Sequence, residues 1–497
     1  MSPRAALLAS VVLSLAGCLT GLPGGGDDAT DGPATTFRAA CFAAVAAWPD
    51  ACTTLASPNE SPSKAEIDLA VDPLDPLHVV VASKDLDRAA SDCVWSVAQV
   101  TFDGGATWTT SYVGGDKTSR ARELLPFACV TDPIMVFGQD GTLYYALQAY
   151  RLGAGPTVLP PTPLGNTIPI VGSTFILARS SDGGLTWEHY ALQHAGDGTA
   201  VFHDYPRMLL NPASGSVHTI WNGVGSSPAP GAPGSGVNPW VSTSRDGGET
   251  VDAPVAFYAQ DAPRDTQFFS GFDARSDGTI FVTANHGQAS DAGEPTDVWL
   301  WRSDDDARSF QLVGKALTIA PTPRQLETNE FRTPSFVELA VDRSGGAYDG
   351  RIHLFWPDYA TGDSDILSSF SDDEGATWSA PVDVATDATN DQLFMRPKVG
   401  RDGTVHVLFA SRAWDPANVL LDQVHAWSAD GGATWRNERL TETSFDGDLG
   451  VHQNGFPFIG DYNGIDVGPD GTVWMAWGDT RTGVAEIAVA KSVPTSG

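Results

Sequence analysis

Residues 428–435 read Ser-Ala-Asp-Gly-Gly-Ala-Thr-Trp, and this stretch decides the fold because it recurs along the chain. The shared pattern is Ser or Thr, any residue, Asp, any residue, Gly, any residue, Thr and Trp. Three other copies match fully, and one lacks only the Trp. The last, called the worn copy below, keeps the Ser and Asp but departs from the pattern at the Gly, Thr and Trp positions. These copies are residues 101–108 (TFDGGATW), 180–187 (SSDGGLTW), 371–378 (SDDEGATW), 244–251 (SRDGGETV) and 303–310 (SDDDARSF). Such repetition indicates a fold built from similar units.

Each copy, called a box below, predicts a self-contained turn between two strands. Asp-Gly or Gly-Gly between apolar runs favours a tight hairpin, because Gly adopts positive φ without a steric penalty. The Asp carboxylate can accept hydrogen bonds from N–H groups of its own turn. The Trp then returns to a core and buries a large apolar ring.

A second repeating element lies upstream of each box: an apolar strand, a polar turn and another apolar strand. Its seven copies are residues 67–71 with 78–82, 133–137 with 143–147, 207–210 with 217–221, 271–274 with 280–284, 337–341 with 351–356, 398–399 with 405–410, and 464–467 with 473–477. A third strand precedes each box and a fourth follows it. The chain therefore reads as four-stranded antiparallel units, with successive box Asp residues 57 to 79 positions apart.

The box resembles the Asp-box, or bacterial neuraminidase repeat, of sialidase-like β-propellers, and the resemblance spans roughly residues 66–493. It implies an all-β propeller of four-stranded antiparallel blades. Seven hairpins against six boxes favour seven blades. The last blade would take its outer strand from residues near 37–62, which closes the ring and removes open edges. Six blades, as in sialidases proper, are the alternative.

The amino-acid composition restricts the classes of molecule that this protein is expected to bind. The chain has 61 acidic and 29 basic residues, a net charge of −32, and such a surface repels nucleic acid and anionic membrane. Its 52 Gly, 34 Pro and 15 Trp residues favour a turn-rich all-β protein. No CxxC or HExxH pattern occurs, so we expect no metal and no cofactor. We also expect a monomer, no nucleic-acid partner, and a glycan or surface protein as the partner.

The N-terminus resembles a lipoprotein signal. Arg4 precedes a short apolar run over residues 5–15, and Leu15-Ala16-Gly17-Cys18 then resembles a lipobox in which Cys18 becomes the lipidated first residue. An ordinary secretory signal with an incidental Cys is the alternative. No other run is long and apolar enough to span a bilayer.

The predicted organisation follows from that signal. It comprises a signal peptide (1–17), a flexible tether (18–36), a Cys-containing segment (37–62) and the propeller (63–497). The protein would be exported to the cell envelope or cell surface, with membrane contact through the lipid anchor at Cys18 only.

Four cysteines remain after Cys18. Because an exported chain meets an oxidising compartment, two disulfides are expected. Proximity pairs Cys41 with Cys52 and Cys93 with Cys129, although sequence alone allows three connectivities. Residues 41–52 (CFAAVAAWPDAC) are compatible with a short helix closed by the first pair.

The predicted blades place function on one rim. The boxes and the polar turns between first and second strands share a rim. The starts of the inner strands and the longest loops, residues 150–171, 223–238 and 286–297, share the other. That second rim is rich in Arg, Asp and Tyr, which suits an anionic sugar because guanidinium groups bind carboxylates bidentately.

The sialidase resemblance implies specific roles. An arginine triad would hold a sugar carboxylate, a Tyr activated by a Glu would be the nucleophile, and an Asp would be the acid/base. Residues 331–334 (FRTP) resemble the family's Phe-Arg-Ile-Pro motif. The mapped candidates are Arg207, Arg332 and Arg396 for the triad, with Arg412 and Arg481 as further binding residues; Tyr205 or Tyr462 as nucleophile; Glu330 or Glu338 as its partner; and Asp132, Asp204 or Asp461 as the acid.

The leading hypothesis is a surface-anchored, sialidase-like propeller acting as an exo-sialidase or related glycoside hydrolase on anionic glycans. The competing hypothesis is a non-catalytic propeller that binds a glycan or protein, or that scaffolds the cell envelope. In that second interpretation, the Arg and Asp residues of the rim pair with one another as caps between blades. Fold alone does not decide between the two, because propellers host many functions.

Overall fold

The computed structural model describes residues 35–42, 50, 52–56, 64–86, 94–115, 121–153, 170–193, 201–226, 235–257, 267–286, 295–387, 389–453 and 456–495. These residues form β-strands joined by turns, with two short 3-10 turns at Arg122–Leu124 and Gly447–Leu449. Over these same ranges, no helix has the length and apolarity needed to cross a bilayer.

The strands group into blades in chain order. Two short strands come first, β1 (Thr36–Ala39) and β2 (Thr53–Leu55). Blades 1 to 3 are β3 (Lys64–Val71), β4 (Val79–Asp85), β5 (Trp95–Thr101), β6 (Thr109–Tyr112); β7 (Cys129–Phe137), β8 (Leu143–Leu152), β9 (Ile170–Ser180), β10 (Glu188–Leu192); and β11 (Val201–Leu210), β12 (Val217–Ser226), β13 (Ser235–Ser244), β14 (Val255–Ala256).

Blades 4 to 6 are β15 (Gln267–Ala274), β16 (Ile280–His286), β17 (Thr296–Ser303), β18 (Gln311–Ile319); β19 (Glu338–Val341), β20 (Ile352–Asp358), β21 (Asp365–Ser371), β22 (Val382–Asp383); and β23 (Gln392–Val399), β24 (Val405–Ser411), β25 (Asp422–Ser428), β26 (Arg436–Arg439). A small hairpin of β27 (Val451–Gln453) and β28 (Phe456–Phe458) follows. Blade 7 has β29 (Gly464–Val467), β30 (Val473–Asp479) and β31 (Glu486–Thr495).

The first strands of the chain complete the last blade. Both β1 and β2 pair antiparallel with β31, Phe37 opposite Pro494 and Thr54 opposite Val489. On the other side of blade 7, β29 and β30 contact β3 of blade 1, so the ring is closed. This confirms the seven-bladed propeller, and β2 and most of β1 fall in the region predicted to supply the closing strand.

Apolar side chains fill the spaces between successive blades. One cluster joins Val80 of blade 1 to Leu147 of blade 2, and another joins blade 6 to blade 7. Trp221, Trp356 and Trp477 are buried, as expected for blade core rather than for exposed sugar platforms. Burial of such large apolar surfaces is the main stabilising contribution of a fold built from repeated sheets.

Every box forms the predicted local turn. In residues 428–435, Asp430 Oδ1 accepts hydrogen bonds from Ser428 Oγ at 2.7 Å and Thr434 N at 2.9 Å. Gly432 N donates to Ser428 Oγ at 2.8 Å. The worn copy makes the same bonds, with Ser309 N donating to Asp305 Oδ1 at 2.9 Å. The fold therefore needs the Ser and Asp of the box more than its Gly or Trp.

The fourth box residue also contacts the preceding blade. Where it is Gly, its carbonyl oxygen accepts a hydrogen bond; where it is acidic, its carboxylate pairs with arginine. The donors are Lys491 to Gly104, His78 to Gly183, Arg179 to Gly247, Arg245 to Asp306, Arg275 to Glu374, and Arg351 to Gly431. Because several of these donors belong to turns between first and second strands, the boxes and those turns share one rim, as predicted. We call it the box rim, and the opposite one the site rim.

The predicted Cys41–Cys52 disulfide is present. Cys129 is buried, but Cys93 lies outside the described residues, so the second pairing stays a prediction. The proposed helix between Cys41 and Cys52, the signal peptide, the tether with Cys18 and much of the three long loops also fall outside the described residues.

Candidate functional site at the mouth of the central channel

Inner strands carry β-bulges where they begin, on the site rim. Strand pairing shifts register within β3, β7, β11, β15 and β23. In four of these strands a non-glycine residue has positive φ: Glu66 (53°), Asp132 (46°), Tyr205 (55°) and Phe394 (55°). Each such residue is strained by about 1–2 kcal/mol. Strain and bulges of this kind concentrate near functional sites, where they redirect side chains.

Charged residues from five parts of the chain meet at this mouth and form what we call the upper layer: Glu66, Asp132, Asp204, Arg332 and Asp461. Arg332 is the centre of the layer. Its Nε donates to Asp461 Oδ1 at 2.6 Å, its Nη2 donates to Asp461 Oδ2, and Nη2 lies 3.9 Å from Glu66 Oε1. Burial alone would lower the pKa of Arg332, but Asp461 and Glu66 raise it above its ordinary value, so the guanidinium stays charged.

Two carboxyl groups of the upper layer, those of Asp204 and Glu66, have raised pKa values. Burial and the nearby Asp132 raise the pKa of Asp204 to about 7. Burial, followed by Asp461 and Asp132, raises the pKa of Glu66 well above its ordinary value. Lys84 Nζ, 3.7 Å from Asp132 Oδ1, offsets part of this negative charge. Asp204 can therefore exchange a proton near neutral pH, which a general acid requires.

A lower layer lies beneath, at matching positions three residues before the ends of their inner strands. Four of these positions carry charge: Asp68, Arg207, Glu338 and Arg396. Glu338 Oε1 lies 2.5 Å from Arg207 Nη2 and 3.0 Å from Arg396 Nη1. Burial would raise the pKa of Glu338, but the two guanidinium groups bring it below its ordinary value. Asp68 faces the same arginines, and burial raises its pKa to about 6.

Tyr205 joins this lower layer. Its hydroxyl donates to Glu338 Oε1 at 3.0 Å and accepts from Arg207 Nη2. The Phe336 ring covers it, with ring centroids 4.0 Å apart. Burial raises the pKa of Tyr205 well above its ordinary value, so the phenol is neutral in the resting protein. The structure thus brings Tyr205 to Glu338, one of the two partners considered from the sequence.

Among the other sequence candidates, Tyr462 stays at this site, with its ring centroid 6.0 Å from that of Tyr205, whereas Glu330, Arg412 and Arg481 lie elsewhere. Tyr462 donates to Pro133 O at 3.3 Å and lies close to the Arg207 guanidinium. Glu330 is exposed, and its backbone N donates to Asp448 at 2.7 Å. Arg412 is buried against Asp391 and Asn329, and Arg481 binds Asp479 and Asp50. Arg412 and Arg481 are thus engaged in ion pairs with neighbouring carboxylates, as the competing hypothesis predicts for residues that cap the blades.

An open cleft lies beside the upper layer. Its walls are formed by two arginines, one carboxylate, two polar side chains and three apolar residues: Arg324, Arg332, Asp461, Asn285, Ser335, Phe268, Pro334 and Phe336. The Phe268 and Phe336 rings lie nearly parallel, 10° apart, and form an apolar wall. Such a cleft, apolar on one side and cationic on the other, suits a small ring that bears a negative charge.

Most of the residues that line the cleft belong to the connector between β18 and β19, residues 320–337. The connector is held by Asp448 Oδ1, which accepts Phe331 N at 3.0 Å, and by the complete burial of Phe331. Thr333 N donates to Arg324 O at 2.6 Å and closes the loop that presents Arg324 and Arg332. Sequence reasoning missed Arg324; the signal was the length of this connector, which is much longer than a turn between blades requires.

Burial and the adjacent Arg332 lower the pKa of the Arg324 guanidinium, while Asp461 and Asp204 oppose that shift. The two like charges therefore interact with one another while lining the same cleft. In the ranges the structure describes, no three His, Cys, Asp or Glu side chains form a group that could hold a metal ion. What the site offers is two guanidinium groups, a proton-exchanging carboxyl and, beneath them, a Tyr–Glu pair.

No protein-family model matches the chain, and no curated protein does. Among solved structures, the chain is similar to a Hadza microbial sialidase, at 14% identity over 84% of this chain and 76% of that one, with a TM-score of 0.47. It is similar to a protein of unknown function from Dyadobacter fermentans DSM 18053, at 14% identity over 89% and 98% of the two chains, with a TM-score of 0.47. It is also similar to an α-L-arabinanase from Penicillium chrysogenum, at 14% identity over 58% and 92%, with a TM-score of 0.37. The seven-bladed architecture itself rests on the strand pairing of this chain.

Proposed function

We propose that this propeller is a sialidase-like glycoside hydrolase acting on glycans that carry an acidic sugar. The observation that carries the proposal is the cleft itself: Arg324 and Arg332 line it, and both interact electrostatically with Asp204, a carboxyl whose pKa is raised to about 7. Two guanidinium groups select a carboxylate-bearing ring. A carboxyl that is half protonated near neutral pH can protonate a glycosidic oxygen.

In this proposal the Tyr205–Glu338 pair supplies the nucleophile. Asp204 would donate its proton to the glycosidic oxygen as the bond to the leaving sugar breaks. Glu338 would take the phenol proton while the Tyr205 oxygen bonds to the anomeric carbon. Asp204, now a carboxylate, would then deprotonate the water that attacks the anomeric carbon, while Glu338 returns its proton to the departing Tyr205 oxygen. Because Phe336 covers Tyr205 in the resting structure, Phe336 has to move for the substrate to reach it.

The test is hydrolysis of a fluorogenic sialoside by the full chain over a wide range of pH and salt. Arg324→Ala and Arg332→Ala should each raise KM at least tenfold, because each removes one of the charges that bind the carboxylate. The matched control is Arg343→Ala: this arginine pairs with Asp273, away from the cleft residues, and its loss should leave KM unchanged. Absence of turnover at every pH would reject the hydrolase.

The burial of Tyr205 and Arg207 favours a second candidate, a non-catalytic glycan-binding propeller. In that case Glu338 would serve only to neutralise Arg207 and Arg396, and the cleft would bind an acidic sugar without cleaving it. Calorimetry with free sialic acid separates the two functions. Binding that Arg332→Ala abolishes, combined with no turnover, is the result that this second function requires.

Surface anchoring is a separate proposal, supported by the sequence around Cys18. If Cys18 carries the lipid, Cys18→Ser should move the protein from the membrane fraction to the soluble fraction, because the protein then has no acyl chain to insert into the bilayer. Export is read from protease accessibility of intact cells. Retention of the Cys18→Ser variant in the membrane fraction would contradict the anchor.

A further inference from the structure

Blades 1 and 2 expose apolar side chains on the box rim, and we propose that this surface rests on the lipid bilayer while the cleft on the site rim faces away from it. The apolar patch consists of Leu74, Leu77, Phe102 and Leu185, which are 66%, 52%, 47% and 42% exposed. The inference does not depend on the hydrolase proposal, but it does rest on the predicted lipid at Cys18.

The patch is contiguous across the joint between the two blades. Leu77 Cδ2 lies 3.1 Å from the Cβ position of Gly104, in the same box as Phe102. The Phe102 ring lies 3.1 Å from the Cβ position of Gly183, which belongs to the box that contains Leu185. Phe102 also stacks on the His78 ring at a centroid distance of 4.3 Å.

Leu74 extends the patch toward the first turn of blade 2, with its Cδ1 3.4 Å from the Cβ position of Gly141. Asp72 holds the backbone of this leucine, since Leu74 N donates to Asp72 Oδ1 at 2.8 Å. The patch is therefore fixed by hydrogen bonds and ring stacking, and little conformational freedom would be lost when it binds a surface.

The repeated boxes supply an internal control. Where Phe102 stands, the other boxes have Ser181, Arg245, Asp304, Asp372 and Ala429; where Leu185 stands, they have Ala106, Glu249, Arg308, Ala376 and Ala433. None of the corresponding turns in blades 2 to 7 contains Leu or Phe. Since all the boxes fold alike, the apolar residues are not needed for the turn, and an exposed apolar cluster of this kind marks an interaction surface.

The path of the chain indicates that the apolar patch contacts the bilayer. Strand β1 begins at Thr36 opposite Thr495, beyond the point where Ser492 pairs with Val473. Val473 follows the first turn of blade 7, and Pro494 Cγ lies 3.4 Å from the Cβ position of Gly471 in that turn. The chain therefore enters the propeller on the box rim, the rim that bears the apolar patch.

The reach of the tether matches this orientation. Cys18 precedes Thr36 by 18 residues. A Gly-rich chain of that length has an average end-to-end distance of about 20–25 Å, and of about 65 Å when fully extended. A lipid at Cys18 would therefore hold the box rim close to the membrane, and the high effective concentration makes even a weak apolar contact sufficient.

Carboxylates beside the patch indicate which class of lipid headgroup it would contact. Asp75, Asp103 and Asp182 are exposed and belong to the same turn and boxes as the patch residues. These carboxylates repel anionic headgroups, so the patch should contact zwitterionic lipid such as phosphatidylcholine more readily than anionic lipid. The apolar side chains would insert at the level of the headgroups, as interfacial anchors do.

The experiment reconstitutes the full lipidated chain in phosphatidylcholine vesicles and attaches an environment-sensitive fluorophore to a new cysteine. Leu185→Cys reports the patch, Ala376→Cys is the same box position in blade 5, and Ala360→Cys reports the site rim. We expect nitroxide-labelled lipid to quench the probe at position 185 at least twofold more than at 376 or 360. Adding Leu74→Ser and Leu77→Ser should reduce the quenching at 185 to the level found at 376.

Quenching at position 185 that is no greater than at the two controls would overturn the proposal and leave the patch as a surface for a protein partner. Stronger quenching at position 360 would also overturn it, because the cleft would then face the membrane. The same conclusion follows if the Leu74→Ser, Leu77→Ser change leaves quenching at 185 unaltered. Preference for anionic over phosphatidylcholine vesicles would contradict the assignment of lipid type.

Discussion

The box turns and the site rim of this propeller are stabilised by contacts of opposite range. In each box the Asp binds a Ser or Thr two residues before it and a Thr or Ser four residues after it. On the site rim, Tyr205 and Glu338 are 133 residues apart, and Arg332 and Asp461 are 129 apart. The comparison teaches that the repeated, local contacts build the scaffold, while the contacts unique to one place build the site.

The same residue type also behaves differently on the two rims. Hydrogen bonds from Thr107 lower the pKa of the box residue Asp103, which is a stable anion. Burial raises the pKa of Asp204 on the site rim to about 7. An exposed carboxylate that accepts hydrogen bonds stays ionised and stabilises its turn. A buried carboxyl group near other acids can instead bind and release a proton near neutral pH.

Replacing Asp204, the proposed general acid, should have the largest effect. Asp204→Asn is expected to lower kcat on a sialyl oligosaccharide about 10²–10⁴-fold, because the sugar leaving group then departs without a general acid. The matched control is Asp75→Asn on the box rim, which should not change kcat. Equal kcat in Asp204→Asn and the unmodified protein would remove Asp204 from the mechanism.

Neutralising the lower layer should have the next largest effect, on stability. Glu338→Gln leaves the guanidinium groups of Arg207 and Arg396 without their shared carboxylate. Breaking such a buried arrangement costs about 3–5 kcal/mol. Chemical denaturation measures it, with Asp372→Asn as control, since the Asp372 carboxylate that pairs with Arg351 is itself exposed and its loss should cost about 1 kcal/mol or less.

A loss smaller than that of Asp372→Asn would mean that the lower layer does not depend on Glu338. The variant also has a functional readout. If Glu338 activates Tyr205, as proposed, Glu338→Gln should abolish turnover while binding of free sialic acid in the upper cleft survives.

The two rims should respond oppositely to pH. The pKa of Asp204 is about 7 in the folded chain and near 4 when unfolded, so the folded state binds more protons between these values. Its contribution to stability is full below about pH 4 and is lost as pH rises toward 7, an effect of about 1–3 kcal/mol. Asp430 has a lowered pKa, since hydrogen bonds from Thr434 and Ser428 outweigh its partial burial; its contribution is present above about pH 4 and is lost as pH falls further.

Unfolding free energies measured from pH 3 to 8 test this difference. Asp204→Asn should flatten the fall in stability between about pH 4 and 7, and Asp430→Asn should flatten the fall below about pH 4. The prediction fails if both variants change the same part of the pH profile.

A single box change should have the smallest effect. Asp430→Ala removes the acceptor for Ser428, Ala433 and Thr434, and we expect a loss of about 1–2 kcal/mol because the site is partly solvated. The neighbouring exposed Ala429→Ser is the control and should be nearly neutral. A loss as large as that of Glu338→Gln would show that the boxes contribute more to the scaffold than their local contacts indicate.

The sequence by itself determined the architecture. The box turns are predictable because each bond joins residues at most four positions apart, so the pattern carries its own geometry. The seven hairpins indicated seven blades, and the missing outer strand pointed to the N-terminal segment that β31 binds. Repetition made these inferences secure, since one rule applied to every copy.

Only the tertiary structure decided the site. Glu330 and Glu338 are eight positions apart and equally plausible in sequence, yet the connector leaves Glu330 exposed while β19 places Glu338 beside Tyr205. Arg324 joins Arg332 because residues 320–337 fold back across the site rim. The physical reason is that ring closure and the bulge in each inner strand set which side chains meet across the channel, and neither is encoded in any single local stretch.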